Sequence, residues 1–215
     1  MNFETKYLIR WGIPGWIILL YIIILLTLNS PIEVINSLTK KPIEALGFII
    51  AMSGIGVPLG YIMYQLYFGF NWVSKKDKQI NKITSCIDNY TRKYSNDELE
   101  YMRIEYLWQS ELSLLDDDKR NYIAERYRHL ISTTHSMGAL AASLFISFLI
   151  SLFIIEKIKL GLLDSSIIII SEVLLIGVTA LNCKYYSDLT KNFQGSFLNE
   201  FINDENRNNQ RKCNI

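Results

Sequence analysis

The sequence contains few of the residues on which enzymes and disulfide-bonded proteins depend, with three cysteines and two histidines among 215 residues. The spacing of Cys86, Cys183 and Cys213 matches neither a disulfide framework nor a zinc site. The chain also lacks an HExxH motif, a nucleophile elbow, a Walker motif and a glycine-rich phosphate loop. We therefore predict that the protein is not an enzyme, has no catalytic residues and carries no metal or cofactor.

Four long stretches contain almost no charge, although one fifth of all residues are charged. These stretches are approximately 11–28, 43–70, 137–155 and 165–183. Each approaches or exceeds the roughly 20 residues that a helix needs to cross a bilayer. The pattern predicts an all-α, polytopic membrane protein with four transmembrane helices. No small-residue cleavage site follows the first stretch, so we interpret it as a retained span rather than a signal peptide.

The polar stretches between the spans divide the chain into four predicted regions. Residues 1–70 form a first transmembrane pair, 71–136 a cytoplasmic helical domain, 137–184 a second pair, and 185–215 a partly disordered cytoplasmic tail. Lysine and arginine near the span ends place both termini and the middle domain in the cytoplasm by the positive-inside rule. The uninterrupted stretch 118–155 predicts one long helix that begins in water and ends in lipid.

The middle domain shows helical signals of its own. Ser95 and Glu98 have the spacing of a capping box at the start of a helix. We expect Leu99, Met102 and Tyr106, together with Leu112–Leu115, to supply the apolar side of that helix. Acidic and basic side chains are balanced in this domain, which argues against a general nucleic-acid-binding surface.

The first two spans differ in their small residues. The first is bulky and aliphatic, and we expect it to have no small-residue face. The second contains Gly56 and Gly60 on either side of Pro58, which predicts a kink. Two interpretations stay open for these three residues: close packing of helix backbones, or a flexible joint within the membrane.

Polar side chains recur along one face of each of the last two spans. In the third, Ser143, Ser147 and Ser151 are four residues apart. In the fourth, Ser165, Glu172 and Thr179 are seven apart, and Glu172 is the single intramembrane charge. Such residues line a water-filled path or brace a helix contact, and Glu172 is a candidate partner for the serines. We take all six as candidate pore-lining residues.

Two stretches of the chain resemble sequences found in small membrane effectors of bacterial anti-phage defence, the Hailong type among them. These stretches are KYLIRWGIPGW at 6–16 and GIGVPLGYIMYQLYF at 54–68. The resemblance implies an oligomeric channel in the bacterial inner membrane, which depolarises that membrane when the signal of a cognate nucleotidyltransferase changes. It also implies a nucleotide or oligonucleotide ligand. The candidate phosphate contacts are Lys75, Lys76, Arg120, Arg126, Arg128 and His129.

The sequence thus leads to one main hypothesis and two alternatives. The main hypothesis is a homo-oligomeric, ligand-gated channel. One alternative is a non-conducting membrane adaptor that holds a cytoplasmic partner through its middle domain. The other is a nuclease, because Arg128 and His135 have a spacing that resembles the signature of HEPN ribonucleases. The nuclease is disfavoured because the residue after Arg128 is His129 rather than a suitable polar partner.

Overall fold

The computed structural model describes residues 5–213 except 33–35, 37–39, 41, 75 and 89, and describes side chains only within 11–201, excluding also 45 and 71–79. The described part is helical and contains no strand. Its six principal helices are α1 (Thr5–Asn29), α2 (Pro42–Ser74), α3 (Lys76–Thr84), α4 (Asp97–Ser113), α5 (Asp117–Ile158) and α6 (Leu162–Cys213).

The helices form two compact units, to which α5 and α6 both contribute. The apolar unit comprises Met1–Phe70 and His135–Cys183, and the polar unit comprises Asn71–Thr134 and Lys184–Ile215. Among the described residues, α1, α2, α5 and α6 each contain a segment long and apolar enough to span a membrane. The prediction of four spans is therefore confirmed at the level of helix length and composition. Helix α5 is the single long helix that residues 118–155 predict.

Glycines allow α1 and α2 to pack with their backbones in close approach. A Cβ atom on Gly15 would overlap the backbone of Gly56 and Gly60, and one on Gly60 would overlap the carbonyl oxygen of Trp11. The expectation that the first span has no small-residue face is therefore wrong. Because a glycine offers no side chain, it lets two backbones approach where lipid provides no hydrophobic driving force.

Pro58 lies within α2, which continues past it to Ser74. On the neighbouring turn, the indole of Trp16 covers Gly56 and donates a hydrogen bond of 3.1 Å to the carbonyl of Ser53. Gly56 and Gly60 thus serve as packing positions against α1. A kink or joint at Pro58 stays a prediction.

A short turn joins α5 to α6. Lys159, directly after the last residue of α5, has a φ of 52°, in the left-handed region where helices commonly end. The last span pair is therefore a tight helical hairpin, and side-chain hydrogen bonds from α5 to α6 confirm that the two helices pack together.

The polar unit has a hydrophobic core of its own. Isoleucines of α3, the buried side of α4 and the C-terminal half of α6 meet in a cluster that contains Ile80, Ile83, Ile87, Ile104, Trp108, Leu112, Phe197 and Leu198. The described part of the predicted partly disordered tail, residues 185–213, is helical, and its Phe197 packs in this core.

The apolar side of α4 differs from the predicted one. Leu99, Met102 and Tyr106 are 49%, 67% and 72% exposed, whereas Ile104 and Trp108 are buried. Leu112 is buried as predicted. The N-cap also lies one residue later than predicted, at Asn96, whose side chain accepts from the backbone N–H of Glu98 at 2.8 Å.

Glu100 lies on the buried side of α4 and is fully buried as a charged residue. Its carboxylate accepts hydrogen bonds from the Tyr90 hydroxyl, from the backbone N–H groups of Lys93 and Tyr94, and from Arg103. Burial acts to raise the pKa of Glu100, but these donors outweigh it and hold the pKa below its ordinary value. Burial and the neighbouring Glu100 also raise the pKa of Tyr90.

A substitution at Gly60 tests the close helix contact. Gly60→Ala should destabilise the protein in detergent by about 1–3 kcal/mol, because its Cβ collides with the backbone of α1. Gly54→Ala in the same helix is the matched control, since its Cβ meets nothing within 4 Å. Thermal unfolding of both variants measures the difference, and equal midpoints would contradict the packing role of Gly60.

Glu100→Gln tests the buried carboxylate of the polar unit. At neutral pH it should lower the free energy of unfolding by about 1–3 kcal/mol, because the donors that now bind an ionised carboxylate would bind a neutral amide. Since the folded pKa lies below the ordinary 4.5, this stabilisation is present above that value and is lost as the pH falls through the folded pKa. Urea unfolding, followed by fluorotryptophan NMR at Trp108, should show the variant and the wild type converging in acid. The exposed Glu125→Gln is the control.

Candidate functional site

The candidate site lies between α5 and α6 in the apolar unit, around the carboxyl group of Glu172. No other Asp, Glu, Lys or Arg occurs in residues 11–29, 45–70, 137–155 and 165–183. The side chain of Glu172 is 0% exposed. A carboxyl group in a lipid-embedded segment is costly unless protein groups replace its water, so its surroundings decide what it can do.

Two serine hydroxyls from α5 bind the same oxygen of Glu172. Ser147 donates to Oε1 at 3.1 Å and Ser151 donates to it at 2.8 Å. These serines are four residues apart, so they lie one above the other on the face of α5 that meets α6. The other oxygen, Oε2, is buried and has no hydrogen-bond partner among the described residues.

The remaining members of the two polar faces are also buried, but they bind their own helix backbones. Ser143 donates to the carbonyl of Ala139, Ser165 to that of Gly161, and Thr179 to that of Leu175. All three side chains are less than 10% exposed. The structure thus brings both predicted faces into the same helix contact, and only Ser147 and Ser151 reach Glu172 directly.

Helix α1 adds a tyrosine next to this contact. Tyr21 of α1 lines one cavity with Ser171, which directly precedes Glu172 in α6. This cavity is mostly apolar, has a volume of about 440 Å³ and lies between α1 and α6. Its lining includes Tyr21, Ser171 and Asp164 together with leucines and isoleucines such as Leu144 and Ile168.

Sequence reasoning did not identify Tyr21 or Ser171 as part of this site. The available signals were a hydroxyl within the aliphatic first apolar stretch and a serine directly before the single acid of the fourth. Neither has a periodic partner in its own helix that points to a shared face. Only the packing of α1 against α6 brings the two together.

The predicted phosphate contacts on α5 do not converge on one surface. Arg120 pairs with Asp117 at 2.5 Å. Arg126, Arg128 and His129 are exposed, but successive helical residues rotate by about 100°, so Arg126 and His129, three residues apart, lie on one side of α5 and Arg128 lies on another. Lys75 and the side chain of Lys76 lie outside the described residues.

His135 has an aromatic environment in the apolar unit. Its ring centroid lies 4.5 Å from that of Phe68, 6.0 Å from that of Tyr67 and 6.4 Å from that of Tyr64. Within the described residues, no group of three or more His, Cys, Asp or Glu side chains is placed to hold a metal ion.

Comparisons with protein-family models, with curated proteins and with solved structures give no match to this chain.

The two serine hydroxyls provide a direct test of the Glu172 contact. Ser147→Ala combined with Ser151→Ala should destabilise the protein by roughly 1–2 kcal/mol, the range for hydrogen bonds between membrane helices in model peptides. Ser143→Ala should cost less, because its hydroxyl binds only its own helix. Unfolding in mixed detergent micelles measures both variants. A loss from Ser143→Ala as large as that of the double variant would contradict the special role of the Glu172 hydrogen bonds.

Proposed function

We propose that this protein is a homo-oligomeric, ligand-gated channel of the bacterial inner membrane, with both termini in the cytoplasm. In this proposal it permeabilises the membrane as an effector of anti-phage defence. The observation that carries the proposal is the buried Glu172, an acid placed among hydroxyls in a segment that is otherwise free of charge. Acidic rings in oligomeric pores select for cations.

The contact between α5 and α6 supports a closed state for the observed conformation. Glu172 is fully buried and bound to Ser147 and Ser151 of the same chain. Conduction past its carboxyl group therefore requires this contact to open. Once wetted, Glu172, Ser147 and Ser151 would offer passing cations one carboxylate and two hydroxyl groups per subunit.

The polar unit is the proposed sensor. It has its own core, and Arg126, Arg128 and His129 expose cationic or imidazole groups that are available to phosphate. The resemblance of residues 6–16 and 54–68 to defence effectors is what supports a nucleotide or oligonucleotide signal and a partner nucleotidyltransferase. Because Arg128 lies on a different side of α5 from Arg126 and His129, a single ligand would need contacts from other helices as well.

Ion flux through reconstituted protein tests the channel. In liposomes, with and without short oligonucleotides, we expect cation flux from the wild type and a cation preference at least about tenfold lower in Glu172→Gln. A tenfold change corresponds to about 1.4 kcal/mol of lost electrostatic attraction. Glu156→Gln, an exposed acid near the end of α5, is the matched control and should keep the wild-type preference.

Absence of flux under every condition, together with a monodisperse monomer in detergent, would overturn the channel proposal. Flux that is identical in wild type and Glu172→Gln would leave a pore but remove Glu172 from it.

A second candidate function, the membrane adaptor, is favoured by the exposed apolar side of α4. Leu99, Met102 and Tyr106 lie on one face of that helix and are all at least 49% exposed. Exposed apolar residues at helical spacing suit a partner helix. If the protein is an adaptor, Met102→Ser combined with Tyr106→Ser should abolish its hold on the cytoplasmic partner, and Glu172→Gln should leave that hold intact. This is the reverse of what the channel proposal predicts.

A further inference from the structure

The two oxygens of Glu172 have unequal surroundings. Oε1 accepts from both Ser147 and Ser151, whereas buried Oε2 has no hydrogen-bond partner among the described residues. An ionised carboxylate has two equivalent acceptor oxygens, but a carboxylic acid has one carbonyl oxygen that accepts and one hydroxyl. The observed division fits the acid form, in which Oε1 is the accepting carbonyl oxygen.

No cation is available to balance a negative charge at this position. The chain has no lysine or arginine in residues 11–29, 45–70, 137–155 or 165–183. From α5, the groups that face Glu172 are the hydroxyls of Ser147 and Ser151, and from α1 the phenol of Tyr21. Hydroxyl donors alone do not replace the hydration of a fully buried charge.

We propose that Glu172 is a proton-binding site within the apolar unit, with Oε2 carrying the proton while α5 and α6 are packed together. This site exists whether or not the protein conducts ions. Its role in gating rests on the proposed channel, because opening the contact to water would release the proton and leave the carboxylate that passing cations meet.

The proposed approach of the proton is the cavity that Tyr21, Ser171 and Asp164 line. Ser171 directly precedes Glu172 in α6, and Asp164 is in the first turn of the same helix. The hydroxyl of Tyr21 is the polar group that α1 adds to this lining, so its removal tests the approach.

Infrared spectroscopy of the full-length protein in liposomes tests the proton directly. Near neutral pH, the wild type should show a carbonyl stretch of a protonated carboxylic acid that shifts in heavy water. Glu172→Gln should lose this band, and the control Glu156→Gln should retain it. Ser151→Ala should move the band to higher frequency, because it removes the shorter hydrogen bond to Oε1.

Two results would overturn the proposal. One is a wild type whose spectrum differs from that of Glu172→Gln only in the ionised-carboxylate region. The other is a protonated-acid band that disappears when Na⁺ replaces choline at constant pH, since a metal cation would then be the ligand. Neither readout depends on flux, so a protein that fails to conduct still yields a decision on the proton site.

For access through the cavity, Tyr21→Phe should slow the hydrogen–deuterium shift of the band several-fold, and an unchanged rate would exclude this route.

Discussion

The hydrogen bonds from Ser147 and Ser151 to Glu172 are the interaction on which the apolar unit depends most directly. Hydrocarbon offers no water to a carboxyl group, so protein groups must replace it. The α5–α6 hairpin provides two hydroxyls, and the short turn at Lys159 keeps both helices close enough for them to reach. A change that separates these helices therefore exposes a polar group that has no other described hydrogen-bond partner.

Among the described residues, two glutamates are fully buried, and the fold accommodates them in different ways. Glu100 in the polar unit receives a tyrosine hydroxyl, two backbone N–H groups and a guanidinium, which suit an ionised carboxylate. Glu172 receives two hydroxyls on one oxygen only, which suits the protonated acid. The contrast follows from chemistry: charge burial is tolerated where charged donors are at hand, and neutralisation replaces it where none are.

Much of the architecture could be predicted from the sequence, because long uncharged stretches have few structural options. The four apolar helices, the unbroken α5 and the serine face of that helix follow from length and periodicity. The buried side of α4 could not be predicted, since Glu100 lies on it and a glutamate normally indicates solvent. Only its partners Tyr90 and Arg103, which the fold brings together, make its burial possible. Likewise, the packing role of Gly15 could be recognised only from its contact with Gly56 and Gly60.

The sequence by itself determined that four helices are apolar enough to span a bilayer and that one of them contains an acid, because hydropathy is a local property. Which groups surround that acid was decided by tertiary structure alone. Ser147, Ser151 and Tyr21 are distant from Glu172 in sequence, and helix packing sets which of them reach it and which oxygen they bind. The chemistry of the carboxyl group depends on those neighbours, and therefore on the fold.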